Sequence, residues 1–236
     1  MKNYQAILFD LDGTLLHMPQ DPFLKELFIA ESTEVAPRLD VSPETLLSVI
    51  KKGVYAMVNN DGSCTNEEAF LKVARPALQK SDEEVGKAFD LYYTGNFRAL
   101  THLQSPNPFA KKAVLMAREK AGRVILATNP VFPPSAQRAR LSWIGLTPED
   151  FDHVTHYENS HYCKPNPAYY SEILDRFHLD PKDCLMVGND IGEDMIPAKA
   201  LGMDLFLVTD CLIAGAHDPA TFQNGSFEEL ISFFEK

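Results

Sequence analysis

The chain has 236 residues, 45% of them hydrophobic, which is enough to bury one full core and to carry a small second module. Acidic residues outnumber basic ones 33 to 22, and the formal charge of -11 disfavours nucleic acid as a partner. A phosphorylated ligand is also repelled, so a phosphate site in this chain needs its own local cation. No apolar run reaches the roughly 18 to 20 residues that cross a bilayer, so we expect no membrane partner.

The cysteines and the N-terminal segment give an expectation for the cellular compartment. The four cysteines are scattered without a Cys-x-x-Cys pair, and the apolar segment Ala6 to Phe9 is too short for a signal-peptide core. We therefore expect a cytoplasmic protein. The sequence does not determine the oligomeric state, and a monomer is compatible with it.

Short apolar segments recur along the chain, and helical patterns alternate with them. This alternation predicts an α/β fold with a doubly wound parallel sheet that is covered by helices on both faces. The predicted strands are Ala6–Phe9, Val124–Ala127, His153–Thr155, Leu185–Val187 and Leu205–Val208. The predicted covering helices are Pro108–Ala121, Pro167–Phe177 and Asp194–Leu201.

A long insert follows the first strand. Residues 18–96 separate this strand from the next βα unit, which is far more than an ordinary connection. Ser42 precedes Pro43 as an N-cap, and capping-box patterns begin at Thr65 and at Ser81. We predict about four helices here. The expected organisation is a core domain of residues 1–17 and 97–236 with a helical domain of residues 18–96.

The segment Asp10-Leu11-Asp12-Gly13-Thr14 follows the first strand, at the edge of the sheet where open α/β folds bind ligands. With a strand period of two, Asp10 and Asp12 project to one side while Leu11 packs away from them. Two carboxylates at one place suit a nucleophile with an acid-base partner, and both can hold a hard cation. The alternative is an Asp-Gly hairpin turn, which is disfavoured because no partner strand follows.

Two further strand ends carry groups that can bind phosphate. Thr128 and Asn129 follow the second strand and can donate to phosphate oxygens, although both are also ordinary turn residues. Lys164 lies just before a helix that Pro167 can start, so a cation stands beside a helix N-terminus, which favours anions. A solvated surface lysine is the alternative for Lys164.

Acidic residues cluster in the loop that follows the fourth strand, between Gly188 and Asp194. They can complete a magnesium site, which needs oxygen ligands and retains several waters. Asp190 and Asp194 are the candidate ligands, with N-capping by either residue as the competing interpretation. His17, just past the first motif, is a candidate contact to the substrate or the hinge.

These four pieces, each at a strand end and in this order, resemble the haloacid dehalogenase (HAD) superfamily. Its first motif, Asp-x-Asp-Gly-Thr, matches residues 10–14. Its Thr or Ser after the second strand matches Thr128, and its Lys before Pro matches Lys164. The resemblance extends from Tyr4 to about Val208.

The fourth motif departs from the family pattern. The family usually has Gly-Asp followed three or four residues later by Asp, whereas this chain reads Gly188-Asn189-Asp190 and then Asp194. Either Asp190 takes the metal position after a shift of one residue, or Asn189 occupies it as a neutral ligand. We favour Asp190.

The resemblance implies a Rossmann-like core and a helical cap that closes over the site and selects the substrate. It also implies a Mg²⁺-dependent phosphatase acting on a small phosphorylated metabolite. In such an enzyme Asp10 attacks phosphorus and becomes an aspartyl phosphate, while Asp12 moves the protons. Thr128, Asn129 and Lys164 bind the phosphate. Mg²⁺ is held by Asp10, by the backbone carbonyl of Asp12 and by an acid of the fourth motif.

Four alternatives follow from the same resemblance. Dehalogenases and phosphonate-cleaving enzymes of the superfamily lack an acid at the position of Asp12, so this residue argues against both. A phosphosugar mutase of the β-phosphoglucomutase type keeps both aspartates and is the enzymatic alternative. A catalytically degenerate protein that binds phosphorylated ligands is the alternative from another class, because the fourth motif is irregular.

Overall fold

The structure is a computed structural model that describes residues 2–235. A parallel β-sheet forms the centre of the protein. Its strands are β1 (Tyr4–Phe9), β2 (Ala121–Leu126), β3 (His153–Val154), β4 (Cys184–Gly188), β5 (Asp204–Val208) and β6 (Asn224–Gly225). They pair in the order β3-β2-β1-β4-β5-β6, and every pair is parallel. The strand order reverses beside β1, so the predicted doubly wound α/β fold is confirmed.

Helices of the core cover both faces of this sheet, and four further helices form the insert between β1 and β2. Together they are α1 (Gln20–Val35), α2 (Pro43–Val58), α3 (Asn66–Leu78), α4 (Asp82–Thr94), α5 (Ala110–Lys120), α6 (Pro134–Trp143), α7 (Pro167–Phe177), α8 (Ile196–Ala200) and α9 (Phe227–Glu235). Alternate residues of β1 pack into two apolar clusters: Ile7 and Phe9 join α5 and α9, while Ala6 and Leu8 join α7 and α8. In the described part of the chain, no helix has the length and apolar character needed to span a membrane.

The register of the central strands determines where the polar loops meet. Phe9 of β1 lies opposite Leu126 of β2 and Val187 of β4, so the three strands end at nearly the same level. The segments that follow them come together at one edge of the sheet. These segments contain the first, second and fourth sequence motifs.

The helices α1 to α4 occupy the insert between β1 and β2, as the sequence predicts. Ser42 caps α2 through its side chain, and Thr65 and Ser81 form the predicted capping boxes of α3 and α4. The division into domains of residues 1–17 with 97–236 and of residues 18–96 stays a prediction. Residues 1 and 236, which are the two ends of the predicted core domain, lie outside the described residues.

Several boundaries differ from the predicted ones. The short strand β6 was not predicted, and α5 begins two residues later than expected, at Ala110. The helix predicted over Asp194–Leu201 begins earlier, with a π-helical turn over Ile191–Met195 that leads into α8. The fourth motif therefore lies on this unusual turn, next to the sheet edge.

Candidate active site

A buried lysine joins two carboxylates at the carboxyl edge of the sheet. Lys164 is 1% exposed, and its Nζ lies 2.7 Å from Asp10 Oδ1 and 2.6 Å from Asp194 Oδ1. Burial opposes the charge of Lys164, but Asp10 and Asp194 outweigh burial and raise the pKa of the lysine well above its ordinary value. The surface-lysine alternative is thus excluded. Lys164 thus places a buried positive charge directly beside Asp10.

The turn after Asp10 connects this carboxylate to the fourth motif. Thr14 is completely buried, and its Oγ1 lies 3.2 Å from Asp10 Oδ2 and 2.8 Å from Asn189 Oδ1. Gly13 has a φ of 88°, and a Cβ on it would lie 2.3 Å from Asn189 Nδ2. Only glycine fits this turn, because it tolerates the positive φ and allows the close approach.

Asp12 pairs with an arginine that the sequence did not reveal. Arg140 of α6 is fully buried, and its guanidinium donates to Asp12 Oδ2 and to Gln137 Oε1. Burial raises the pKa of Asp12, while Arg140 opposes this rise and Asp10 adds to it. Asp12 Oδ1 is buried without a hydrogen-bond partner in the described chain. That oxygen is therefore available to a ligand.

The acids of the fourth motif have different partners. Asp194 uses Oδ1 for Lys164, and its Oδ2 accepts hydrogen bonds from the backbone N–H groups of Asn189 and Asp190, each at 3.1 Å. Asp190 accepts two backbone hydrogen bonds of the π-helical turn, at 2.7 and 3.0 Å, on Oδ1 alone. The N-capping interpretation thus holds for Asp190, whose Oδ2 is left for another ligand. The predicted roles of Asn189, Asp190 and Asp194 as metal ligands stay predictions.

Thr128 and Asn129 lie at the same edge, after β2. Thr128 is 1% exposed, and its carbonyl accepts hydrogen bonds from Thr155 Oγ1 at 2.6 Å and from the Tyr169 hydroxyl at 2.9 Å. Asn129 Nδ2 donates to Glu193 Oε2 at 3.2 Å. Burial raises the pKa of Glu193 to about 7. The phosphate-binding roles of Thr128, Asn129 and Lys164 stay predictions.

These side chains surround a pocket of about 30 Å³, which we call the carboxylate pocket. It is lined by Asp10, Asp12, Gln20, Thr128, Asn129, Asn189, Asp190, Glu193, Asp194 and Ile213. His17 does not line it and instead packs edge-on against Phe227 of α9, with 5.7 Å between the ring centroids. The contact to the substrate or the hinge that is predicted for His17 stays a prediction.

The donor set of the carboxylate pocket fits magnesium. Asp10, Asp12, Asn189 and Asp190 all line it, and Asp12 Oδ1 has no other partner in the described chain. Within residues 2–235, no three His, Cys, Asp or Glu side chains are arranged as a preformed metal site. Neutral oxygens and water would complete the shell, which suits Mg²⁺ because this ion usually keeps several waters.

Sequence reasoning missed Arg140, Gln137 and Glu193. Arg140 and Gln137 lie on the buried face of α6, together with Ala136 and Leu141. A buried arginine needs a charged partner, so an arginine at an apolar position of this helix was the one available signal. It did not indicate which acid is the partner.

Comparison with known proteins finds phosphatases. The chain is 28% identical over 203 residues to the glyceraldehyde 3-phosphate phosphatase of Pyrococcus abyssi, covering 84% of this chain and 79% of that protein. It is 25% identical to the ribulose-1,5-bisphosphate 5-phosphatase of Halopiger xanaduensis, covering 86% and 83%. It is 27% identical to the phosphoglycolate phosphatase of Nitrosospira multiformis, covering 86% and 82%.

Solved structures share the fold. A HAD phosphatase from Thermococcus onnurineus has a TM-score of 0.57 at 18% identity, covering 99% of this chain and 97% of its own. A 2-haloacid dehalogenase from Pseudomonas syringae has a TM-score of 0.58 at 20% identity, covering 92% and 91%. The family model described as haloacid dehalogenase-like hydrolase matches residues 4–202, which include all four motifs. As the motifs predict, the chain belongs to the haloacid dehalogenase-like hydrolase family.

Proposed function

We propose that this hydrolase is a magnesium-dependent phosphatase that cleaves a small phosphate monoester through an aspartyl phosphate on Asp10. One observation carries the proposal: Asp10 lies 2.7 Å from the buried Nζ of Lys164 and lines the same pocket as Asp12. A carboxylate nucleophile, an acid-base carboxyl group and a fixed cation are the groups that such phosphoryl transfer requires. The three relatives named above are phosphatases, which supports the assignment.

The proposed cycle has two steps. Asp10 attacks phosphorus, the bond from phosphorus to the alcohol oxygen breaks, and Asp12 gives its proton to that oxygen. Asp12, now a carboxylate, then takes a proton from water, which attacks the aspartyl phosphate at phosphorus. Inorganic phosphate leaves and Asp10 is restored. Lys164 compensates charge in both steps, and Thr128 and Asn129 donate to the phosphoryl oxygens.

The proposed metal site uses oxygen atoms alone. Asp10, the backbone carbonyl of Asp12 and Asp190 would hold Mg²⁺, with Asn189 as the neutral alternative to Asp190. When bound, the ion supplies positive charge beside the phosphoryl oxygens. This charge matters in a protein with a formal net charge of -11, because its overall field repels a phosphate ester.

We also infer that the helical insert is a cap and that the enzyme acts in the cytoplasm on a small phosphorylated metabolite. The cap role is supported by a cavity beside Asp12 that helices of the insert line. All four cysteines are free, which fits a reducing compartment. The net negative charge supports a small ligand over nucleic acid.

Rapid-mixing kinetics with nitrophenyl phosphate tests the roles of the two aspartates. Asp10→Asn should show no turnover, because the covalent route is lost. Asp12→Asn should release a burst of at most about one nitrophenolate per active site and then slow, because this leaving group departs without a proton while dephosphorylation still needs the base. A burst from Asp10→Asn would contradict the assignment.

A free-phosphate assay separates hydrolysis from the two alternatives. A phosphatase releases phosphate in proportion to the ester consumed, whereas a mutase returns it to the sugar. A protein that only binds phosphorylated ligands releases none.

A further inference from the structure

A second cavity, of about 270 Å³, lies beside Asp12 and is lined by the four helices of the insert and by core loops. We call it the insert cavity. Apolar side chains from all four helices line it, among them Leu27 of α1, Val54 of α2, Phe70 of α3 and Phe89 of α4. Protein interiors rarely leave voids much larger than a water molecule. A cavity of this size next to the acid-base residue is therefore suited to a ligand.

The insert cavity adjoins the carboxylate pocket. Asp12, Gln20, Asn129 and Glu193 line both. A phosphate ester whose phosphorus is next to Asp10 therefore has its leaving oxygen near Asp12 and the remainder of its alcohol in the insert cavity. The apolar walls thus face the part of the substrate that leaves as an alcohol.

The lining of the insert cavity offers no cationic partner to a second anionic group on that alcohol. Glu31 is 3% exposed, accepts a hydrogen bond from the Tyr93 hydroxyl, and has a pKa that burial raises to about 7. Glu67 and Asp82 also line the cavity, and Asp82 is paired with Arg75. Within this lining there is no lysine or arginine to bind a carboxylate or a second phosphate.

We propose that the preferred substrate is the phosphate monoester of an uncharged, apolar alcohol with roughly ten carbon atoms. This rests on the proposed phosphatase function and defines its substrate class. The length follows from volume: an apolar cavity of roughly 150 Å³ holds benzene, and the insert cavity has about 270 Å³. The chemistry is unchanged, with the alcohol leaving as Asp12 protonates its oxygen.

The first experiment is a chain-length series on the wild-type enzyme with ethyl, butyl, hexyl, octyl and decyl phosphate, below micelle-forming concentrations. Each buried methylene should raise kcat/KM about three- to fourfold until the cavity is filled. Glucose 6-phosphate and phosphoglycolate are the polar comparators and should be poorer substrates than octyl phosphate. A series in which kcat/KM does not rise with chain length overturns the proposal.

The second experiment reduces the volume of the insert cavity by replacing a glycine that lines it with a larger residue. Gly86 of α4 lines the cavity on the same helical face as Asp82 and Phe89, and a Cβ on it would have no heavy atom within 4 Å. Gly86→Leu should lower the ratio of kcat/KM for octyl over ethyl phosphate by about tenfold or more. Lys87→Leu introduces the same leucine side chain at an exposed position of α4 and is the matched control.

The two experiments distinguish failure of the proposal from failure of the proposed function. Turnover of ethyl phosphate without a chain-length effect removes the apolar substrate class and leaves the phosphatase intact. Absence of turnover on every ester removes both. An unchanged octyl-to-ethyl ratio in folded Gly86→Leu overturns the assignment of the alcohol to the insert cavity even if the series rises.

Discussion

Arg140 is fully buried, and its guanidinium is paired with Asp12 and Gln137. A buried ion pair adds little net stability, but removal of one partner leaves an uncompensated charge. Because the contact uses Asp12 Oδ2, it fixes the carboxyl group while Oδ1 stays free of protein partners in the described chain. We infer that Arg140 is a positioning residue for the proton transfer.

Replacement of Arg140 should therefore change the pH dependence as well as the rate. Arg140 lowers the pKa of Asp12, so Arg140→Met should move the Asp12-dependent limb of the kcat/KM profile to higher pH. We also expect kcat on an alkyl ester to fall about 10- to 100-fold. Arg138→Met removes an exposed arginine of the same helix and is the control. A slower enzyme with an unshifted profile would mean that Arg140 acts only on folding.

The proposed magnesium dependence provides a test of which residue of the fourth motif would bind the ion. Asp190→Asn keeps a side-chain oxygen for the N-cap and removes the charge, so the half-saturating Mg²⁺ concentration should rise about tenfold. Asn189→Ala should raise it less, because Asn189 Oδ1 already accepts a hydrogen bond from Thr14 Oγ1 at 2.8 Å. Titration of activity with Mg²⁺ decides, and a larger effect of Asn189→Ala would reverse our choice of ligand.

At the scale of elements, local chemistry determined which predictions succeeded. The helix predicted over Pro167–Phe177 has those bounds because Asn166 caps its N-terminus and His178 ends it in the left-handed conformation. Strand β6 has only two residues, too few for a periodic pattern. Helix α7 could therefore be predicted from its local sequence, whereas β6 could not.

The π-helical turn before α8 is explained by a proline together with a hydrogen bond that forms only in the folded protein. Pro197 has no N–H group, so it cannot donate to the carbonyl of Glu193 in a regular helix. The Tyr170 hydroxyl of α7 donates to that carbonyl instead, at 3.1 Å. Because the compensating donor lies on another helix, sequence alone did not indicate this turn.

Burial of Glu31 in α1 should make stability depend on pH. Burial raises its pKa from an ordinary 4.5 to about 7, so the native state keeps the proton between these values while the unfolded chain loses it. Stability should fall as pH rises through this window, by up to about 3 kcal/mol, with no such penalty below it. Glu31→Gln removes the titration and should be more stable than wild type at pH 8, with a smaller difference near pH 4.5.

Urea unfolding across this pH range measures the difference. Glu26→Gln replaces a partly exposed glutamate of the same helix and is the matched control. A stability difference between Glu31→Gln and wild type that is the same at both ends of the range would show that Glu31 does not titrate in this way.

At the scale of the whole molecule, sequence could predict the position of those site residues that follow strands of the sheet. Asp10 and Thr128 follow adjacent strands of matched register, so their proximity could be predicted from strand ends. The insert cavity could not, because its shape depends on how α1 to α4 pack against one another and against the core loops. Capping residues predicted where α2, α3 and α4 begin but not how the four helices pack together.

Hydrogen bonds also join the insert to the loop that precedes Lys164, and the sequence did not indicate them. Asn66, the first residue of α3, is completely buried, and its Nδ2 donates to the carbonyls of Pro130 at 3.2 Å and of Tyr162 at 3.3 Å. Its backbone N–H donates to the Ser160 carbonyl at 2.9 Å. One side chain thus joins the insert to the loops that follow β2 and precede Lys164.

Removal of the Asn66 side chain should loosen this connection without unfolding the core. Asn66→Ala leaves the Pro130 and Tyr162 carbonyls without this donor, at a cost of about 1–3 kcal/mol. Amide hydrogen exchange in residues 157–163 and in the first turn of α3 should therefore accelerate about tenfold or more, while β1 and β2 stay protected. Asn59→Ala, at an exposed residue of the same insert, is the control. Equal acceleration in β1 would indicate global destabilisation, and no acceleration in residues 157–163 would show that Asn66 does not hold the insert to this loop.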